Sequence, residues 1–63
     1  EDLFQLLSHE DEGIRIETIW AIANIRDRNV ERVLTDVMNN DKSKRIRDAA
    51  KKAIEWNKLL IIE

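Results

Sequence analysis

The sequence predicts an all-α fold of two stacked helix pairs, an α-solenoid of four helices. The 63 residues contain no proline and one glycine, and apolar residues recur at spacings of three and four, which is typical of amphipathic helices. Segment 14–22 returns as 46–54 at an offset of 32 residues, and the apolar stripe of 3–7 returns in 34–38 at an offset of 31. Self-similarity at such a period indicates a solenoid of stacked helix pairs.

The first helix pair is predicted from its leucines and its turn. A first helix over about 2–8 has an inner stripe of Leu3, Leu6 and Leu7. Residues 8–11 form a polar turn, and Gly13 loosens the start of the next helix. The second helix is predicted over about 12–26.

The second pair follows a polar break at residues 27–29. Asp27 or Asn29 is expected to cap a third helix over about 29–39. Ser43 is expected to cap a fourth helix over about 44–60. The inner stripe of the third helix comprises Val30, Val33, Leu34, Val37 and Met38.

The second helix is apolar on two sides. At about 100° per residue, one side carries Ile14, Thr18, Ala21, Ile22 and Ile25, and the other carries Ile16, Ile19 and Ala23. A helix of this kind is expected to be buried between neighbours. Phe4, at the position of Thr35 in the second pair, extends this apolar surface, which the second pair is placed to cover.

The fourth helix shares only the first of these faces, with Ile46, Ala50, Ala53 and Ile54. Its opposite face carries Asp48, Lys51, Lys52 and Glu55, which we expect to meet water. A polar outer face is typical of a terminal capping repeat. We therefore expect one domain over 1–63, with repeat 1 over about 1–27 and a capping repeat 2 over about 28–63. It is either the end of a longer solenoid or a complete minimal one.

Two segments, 6–25 and 40–54, resemble HEAT and armadillo repeats. The second is the plainer match, with Asn40-Asp41 followed by Ile46-Arg47-x-Ala49-Ala50-x-x-Ala53-Ile54. The short period is most similar to the HEAT-like repeats of the phycobilisome-lyase type. The resemblance implies a module for protein–protein interaction or scaffolding.

In HEAT repeats, an aspartate in the inter-helix turn and an arginine six residues later often form a ladder between repeats. Asp41 and Arg47 match this pattern. In repeat 1 the arginine is Arg15, His9 occupies the aspartate position, and Asp11 is an alternative partner. The resemblance implies a structural role for these residues.

Trp20 and Asn24 resemble the tryptophan–asparagine pair with which armadillo repeats of nuclear-import receptors bind extended peptides. Residues four apart share one helical face, an amide bonds a peptide backbone, and an indole stacks on a cation. Repeat 2 has Lys52 and Trp56 at the matching positions, so the pair does not recur. The alternative is that Trp20 packs between helices and Asn24 bonds locally. With Glu17, these residues form the predicted partner-binding surface.

The sequence offers no catalytic set, so we expect a non-enzyme without cofactor or metal. It lacks cysteine, which excludes disulfides and thiolate metal sites and favours a cytoplasmic location. The single histidine, His9, cannot form a histidine-based metal site alone. The carboxylates of residues 10–12 lack calcium-loop spacing and are expected to favour the amino end of a helix. No apolar run is long enough to cross a membrane.

Charge is unevenly distributed: residues 1–27 have two basic and seven acidic side chains, and 28–63 have nine and six. The halves therefore carry −5 and +3, which indicates either solvated faces or head-to-tail attraction between copies. The basic run 42–52 suggests phosphate contacts, but acidic residues interrupt it, so nucleic acid is not the expected partner. A purely structural cap is a further alternative.

The apolar tail continues the inner face of the fourth helix at Leu60 and Ile61. Leu59 and Ile62 lie off that face. They either fold back over the third helix or offer an apolar surface to a second chain, so self-association as a homodimer is a further expectation.

Overall fold

A computed structural model describes residues 3–62. It contains a 3₁₀ helix over Leu3–Ser8 and three α-helices: α1 (Glu12–Ala23), α2 (Asn29–Asn40) and α3 (Lys44–Ile61). No strand occurs in this part of the chain, so the predicted all-α class is confirmed. The predicted start of the first helix, residue 2, lies outside the described residues.

The elements form two helix pairs that pack through their second helices. The 3₁₀ helix packs on α1, α2 packs on α3, and α1 also packs on α3. Buried apolar side chains from all three α-helices form one core: Ile19, Ile22, Ala23, Val30, Leu34, Val37, Ile46, Ala50, Ala53 and Ile54.

The first element is shorter and more tightly wound than an α-helix. Its predicted inner residues Leu3, Leu6 and Leu7 are only half-buried, and Leu3 and Leu7 pack against the core. The His9 N–H donates to the Leu6 carbonyl at 3.1 Å, an i→i+3 bond that ends the element in 3₁₀ geometry. A six-residue segment gains few i→i+4 bonds, which favours this geometry.

α1 ends at Ala23, three residues before the predicted end. The Asn24 N–H donates to the Ala21 carbonyl and the Ile25 N–H to the Ile22 carbonyl, so the last turn tightens. The buried Asn57 amide then donates to the carbonyls of Ala23 at 2.8 Å and Ile25 at 2.9 Å. These bonds satisfy carbonyls at the end of α1 that have no partner within the helix.

The amino ends of the helices lie at the predicted turns, but among α1, α2 and α3 only α1 has a side-chain cap. The Asp11 carboxylate accepts from the Gly13 N–H at 2.7 Å, which caps α1. Of the two predicted caps for α2, Asp27 accepts from the Asn29 N–H at 2.8 Å, but the N-cap position is Arg28, which makes no side-chain capping bond, so this prediction is wrong. Ser43 occupies the N-cap position of α3, but its side chain makes no capping bond, so that prediction is wrong.

The predicted apolar face of α3 lies in the core, and the residues of its opposite face are exposed: Asp48, Lys51, Lys52 and Glu55. For α1 the prediction of burial on both sides is right in part: both predicted sides contribute buried residues, but one of them is also partly exposed. Its buried residues lie on one continuous side, which includes Thr18, Ile19, Ile22 and Ala23, whereas Ala21 and Ile25 are exposed. Phe4 also remains 44% exposed, because the second pair leaves it only partly covered.

A buried ion pair joins the two helix pairs. Arg15 of α1 donates from Nε and Nη2 to the two carboxylate oxygens of Asp41 at 3.0 and 3.2 Å. The side chains of Arg15 and Asp41 are 5% and 9% exposed. Arg15 also donates to the carbonyl of His9, six residues before it, at 2.7 Å. Arg47, its counterpart on α3, donates in the same way to the carbonyl of Asp41 at 2.7 Å. Asp11, the alternative partner predicted for Arg15, instead caps α1. The carboxylate that binds Arg15 is that of Asp41 in the second pair.

We expect Asp41→Ala to lower the free energy of unfolding by about 3–5 kcal/mol, because it leaves the Arg15 guanidinium buried without its carboxylate. Thermal and urea melts followed by helical circular dichroism measure this loss. Asp48→Ala is the matched control, since it removes only the exposed Lys44–Asp48 pair, worth about 0.3–0.5 kcal/mol. Equal losses in the two variants would contradict the prediction.

Candidate protein interface

One surface is exposed in both helix pairs. Trp20 and Asn24 lie about 40° apart on α1 by helical geometry, and Lys52 and Trp56 are their counterparts on α3 at the offset of 32 residues. All four residues are exposed. These exposed side chains therefore lie on two helices that pack against each other.

A hydrogen bond joins the two helices within this surface. The Trp56 indole N–H donates to the Asn24 Oδ1 at 2.9 Å. The Asn24 Nδ2 donates to the Trp20 carbonyl at 3.1 Å. Both ends of the Asn24 amide are thus engaged inside the chain, and the bond positions the Trp56 ring.

Trp20 lies on the surface and is 37% exposed, so it does not pack away between the helices. Its exposure is similar to that of Trp56, which is 44% exposed. Two large aromatic side chains are therefore accessible on neighbouring helices. Such rings supply much contact area for little loss of conformational entropy.

Charges of opposite sign flank the indoles. Glu17 precedes Trp20 by three residues and Lys52 precedes Trp56 by four, so each charge shares a helical face with its ring. Both charged residues are exposed. Neither forms an ion pair within residues 3–62, so both are accessible to a partner's charges.

The apolar carboxyl-terminal tail follows Trp56. Leu59 and Ile62 are largely exposed; Leu59 does not fold back over α2, whereas Ile62 lies beside the start of that helix. Leu60 and Ile61 are half-buried, and Ile61 and Ile62 line a shallow groove beside Arg28 at the start of α2. The structure leaves Leu59 and Ile62 available to a second chain.

The basic run at the start of α3 is partly neutralised. Arg45 contacts Glu12 of α1 at 3.5 Å, and Lys44 contacts Asp48 at 3.1 Å. The Arg47 Nη1 donates to the Asp41 carbonyl at 2.7 Å. A polyanion would therefore compete with contacts inside the chain for much of this charge.

Two interactions of this region were missed by reasoning from sequence. Asn57 is fully buried and bonds the end of α1, although its counterpart in the first pair is Ile25. An asparagine on an otherwise apolar face was the available signal. The second is Arg26, whose Nε donates to the Leu60 carbonyl at 3.1 Å across 34 residues.

The acidic turn before α1 forms a cap. The His9 Nδ1 accepts from the Asp11 N–H at 3.0 Å, and Asp11 caps the helix. No group of three or more His, Cys, Asp or Glu side chains in residues 3–62 is arranged to hold a metal ion.

Comparison with known families identifies the fold. A family model described as HEAT repeats matches residues 1–58. The chain belongs to the HEAT repeat family. No curated protein and no solved structure matches it. In this HEAT chain, no helix within the described residues is long and apolar enough to cross a membrane.

We expect Asn24→Ala to shift the fluorescence emission of Trp56 to longer wavelength, because the indole loses its hydrogen bond and gains freedom in water. The unfolding free energy should fall by about 1 kcal/mol. The measurement uses a Trp20→Phe background, in which Trp56 is the sole emitter.

Asn40→Ala is the matched control, because Asn40 makes the same i−4 bond, to the Asp36 carbonyl at 3.1 Å. It should leave the Trp56 spectrum unchanged. An unchanged spectrum in both variants would show that the Asn24–Trp56 bond is absent in solution.

Proposed function

We propose that this HEAT chain is a non-catalytic protein–protein interaction module. Its contact surface is the two-tryptophan face, which we define as Glu17, Trp20, Asn24, Lys52 and Trp56. The observation that carries the proposal is the pair of exposed indoles on adjacent helices, one of them held by Asn24 across the junction of the helix pairs. Tryptophan anchors of this kind supply much of the binding energy of protein interfaces.

The charges of the face favour a polypeptide partner with charges of both signs. Glu17 attracts a basic side chain near Trp20, and Lys52 attracts an acidic one near Trp56. Because the Asn24 amide is already bonded, we assign it the positioning of Trp56. A partner is then recognised by burying its side chains against the two indoles and by pairing with the charges of Glu17 and Lys52. The armadillo resemblance implies a different mode, in which the asparagine bonds the backbone of a bound peptide.

We also propose that residues 1–63 form one domain and that the second helix pair ends the stack. The side of α3 that corresponds to Ile19 and Ala23 of α1 carries Lys51 and Glu55, both exposed. A further pair stacked there would bury these charges, which is costly unless both find partners. A terminal position is therefore favoured for this pair.

A selection from a displayed library of peptides tests the binding surface. We expect wild-type protein to enrich sequences with an apolar anchor flanked by charged residues. Trp20→Ala and Trp56→Ala should each weaken the affinity for these peptides by at least about 30-fold, the effect of losing a hot-spot side chain. Titration calorimetry measures the affinities.

Phe4→Ala is the matched control, because Phe4 has the same exposed fraction as Trp56, 44%, but belongs to the 3₁₀ helix. Peptide binding that survives both tryptophan variants while helicity is retained would refute the site. Salt-sensitive binding to nucleic acid through residues 42–52, with no peptide enriched, would favour the nucleic-acid alternative.

A further inference from the structure

The two-tryptophan face has one hydrogen-bond donor that the fold does not use. The Trp56 indole N–H donates to the Asn24 Oδ1 at 2.9 Å, whereas the Trp20 indole N–H makes no hydrogen bond within residues 3–62. Trp20 is 37% exposed. An indole N–H is a donor only, so a partner that covers this ring must bring an acceptor to it or leave the donor unpaired at a cost.

The same face offers little to the N–H groups of a peptide backbone. The Asn24 amide accepts from Trp56 through Oδ1 and donates to the Trp20 carbonyl through Nδ2. The Lys52 ammonium is a donor without acceptor capacity. The Glu17 carboxylate is then the one acceptor without a partner among the side chains that define the face. A ligand with backbone carbonyls and few backbone N–H groups therefore suits this surface.

We infer that the partner segment is proline-rich and binds across the two-tryptophan face as a polyproline II helix. The inference rests on the proposed function, whose surface it assigns to one class of peptide. Proline has a carbonyl acceptor and no backbone N–H. A polyproline II helix has no internal hydrogen bonds, so its carbonyls are available to the Trp20 donor, whereas those of an α-helix are already bonded. Aromatic surfaces are a recurring binding site for such segments.

The spacing between the two helices matches one turn of this ligand. α1 packs on α3, and the axes of packed helices lie about 8–10 Å apart. A polyproline II helix has three residues per turn, so its residues i and i+3 lie about 9 Å apart on one side. A segment that crosses from α1 to α3 thus places one proline on Trp20 and the proline three residues away on Trp56. In a β-strand the same-side spacing is about 7 Å, and every other residue adds an N–H to satisfy.

Charge complementarity specifies the residues beside the prolines. Glu17 lies one turn before Trp20 on α1, and Lys52 lies one turn before Trp56 on α3. Both are exposed and form no ion pair within residues 3–62. A segment that crosses the two helices therefore pairs best with one basic flank over α1 and one acidic flank over α3. Two flanks of one sign would bring like charges together on one of the helices.

Synthetic peptides test the class of partner on the wild-type protein. The reference peptide has prolines at i and i+3 between a basic and an acidic flank. A second peptide of the same composition has its prolines at i and i+2, and a third has leucine in place of both prolines. Titration calorimetry should show that both changes weaken binding by at least about 5-fold, because an anchor is lost from one indole or backbone N–H groups are buried without acceptors.

The indole N–H signals in proton–nitrogen NMR spectra report the hydrogen bond directly. The two tryptophans give two such signals, and Trp20→Phe identifies that of Trp20 by removing it. We expect the reference peptide to move the Trp20 signal downfield and to leave the Asn24 side-chain amide signals in place. Trp20→Phe keeps an aromatic ring without the donor, so it should weaken binding by about 2- to 10-fold.

Charge reversal on α3 tests the flanks without requiring the direction of the peptide. Lys52→Glu makes both flanking charges of the face negative, so this variant should prefer the proline peptide with two basic flanks over the reference peptide. Wild-type protein should show the opposite preference. The same preference in both proteins would overturn the assigned charge pairing.

The inference and the proposed function fail in different ways. A leucine peptide that binds as tightly as the reference peptide, with its affinity lost in Trp20→Ala, would overturn the proline-rich partner and keep the two-tryptophan face as a binding surface. An Asn24 amide signal that moves on binding, with an unmoved Trp20 indole signal, would overturn the donor role of Trp20. Absence of binding by every peptide, together with a library selection that enriches none, would overturn both proposals.

Discussion

The arrangement of the two helix pairs depends on the Asp41 carboxylate. It accepts from both Nε and Nη2 of Arg15 and also from the Ser43 N–H, so it links α1 to the start of α3. The Asp41 carbonyl accepts from Arg47, which fixes the turn from the other side. A buried ion pair adds little net stability over a well-packed apolar pair, so the core around Ile19 supplies most of the driving force. The ion pair adds a polar contact of fixed geometry between the two helix pairs, from Arg15 to Asp41.

Much of this architecture could be predicted because the sequence repeats. The offset of 32 residues aligns α1 with α3, and it correctly predicts which face of α3 is buried. The errors have both local and distant causes. The first element is a 3₁₀ helix because six residues gain few i→i+4 bonds. The end of α1 involves a distant residue, since the Asn57 amide, 34 residues away, donates to the Ala23 carbonyl. The predicted second side of α1 is covered, since Ile19 and Ala23 are buried, whereas Ala21 and Ile25 of the first side are exposed. Periodicity alone does not show which side of a helix has a neighbour.

At the candidate interface, too, local spacing predicted some features, whereas contacts between residues far apart in the chain decided others. Helical spacing was sufficient to put Trp20 and Asn24 on one face, and the repeat offset added Lys52 and Trp56. Spacing could not show that the Asn24 Oδ1 accepts a hydrogen bond from the Trp56 indole, because that bond depends on how closely α1 and α3 approach. This bond changes the chemistry of the site. A side chain that resembles a peptide-backbone ligand instead orients an aromatic ring, and the indoles become the groups available to a partner.

The two-tryptophan face includes residues on both sides of the contact between α1 and α3, where Asp41 binds Arg15. Binding at this face would therefore be coupled to the stability of that contact. Trp20 belongs to the first helix pair and Trp56 to the second, so a partner that contacts both rings binds only the stacked arrangement. A ligand selective for the folded state stabilises it by mass action. The free energy of binding therefore adds to that of the contact between α1 and α3. A folded chain of 63 residues buries too little surface to have a large stability of its own, so under the proposed function a bound partner would add a substantial share of the whole. A partner held by both indoles would thus stabilise the junction that positions them.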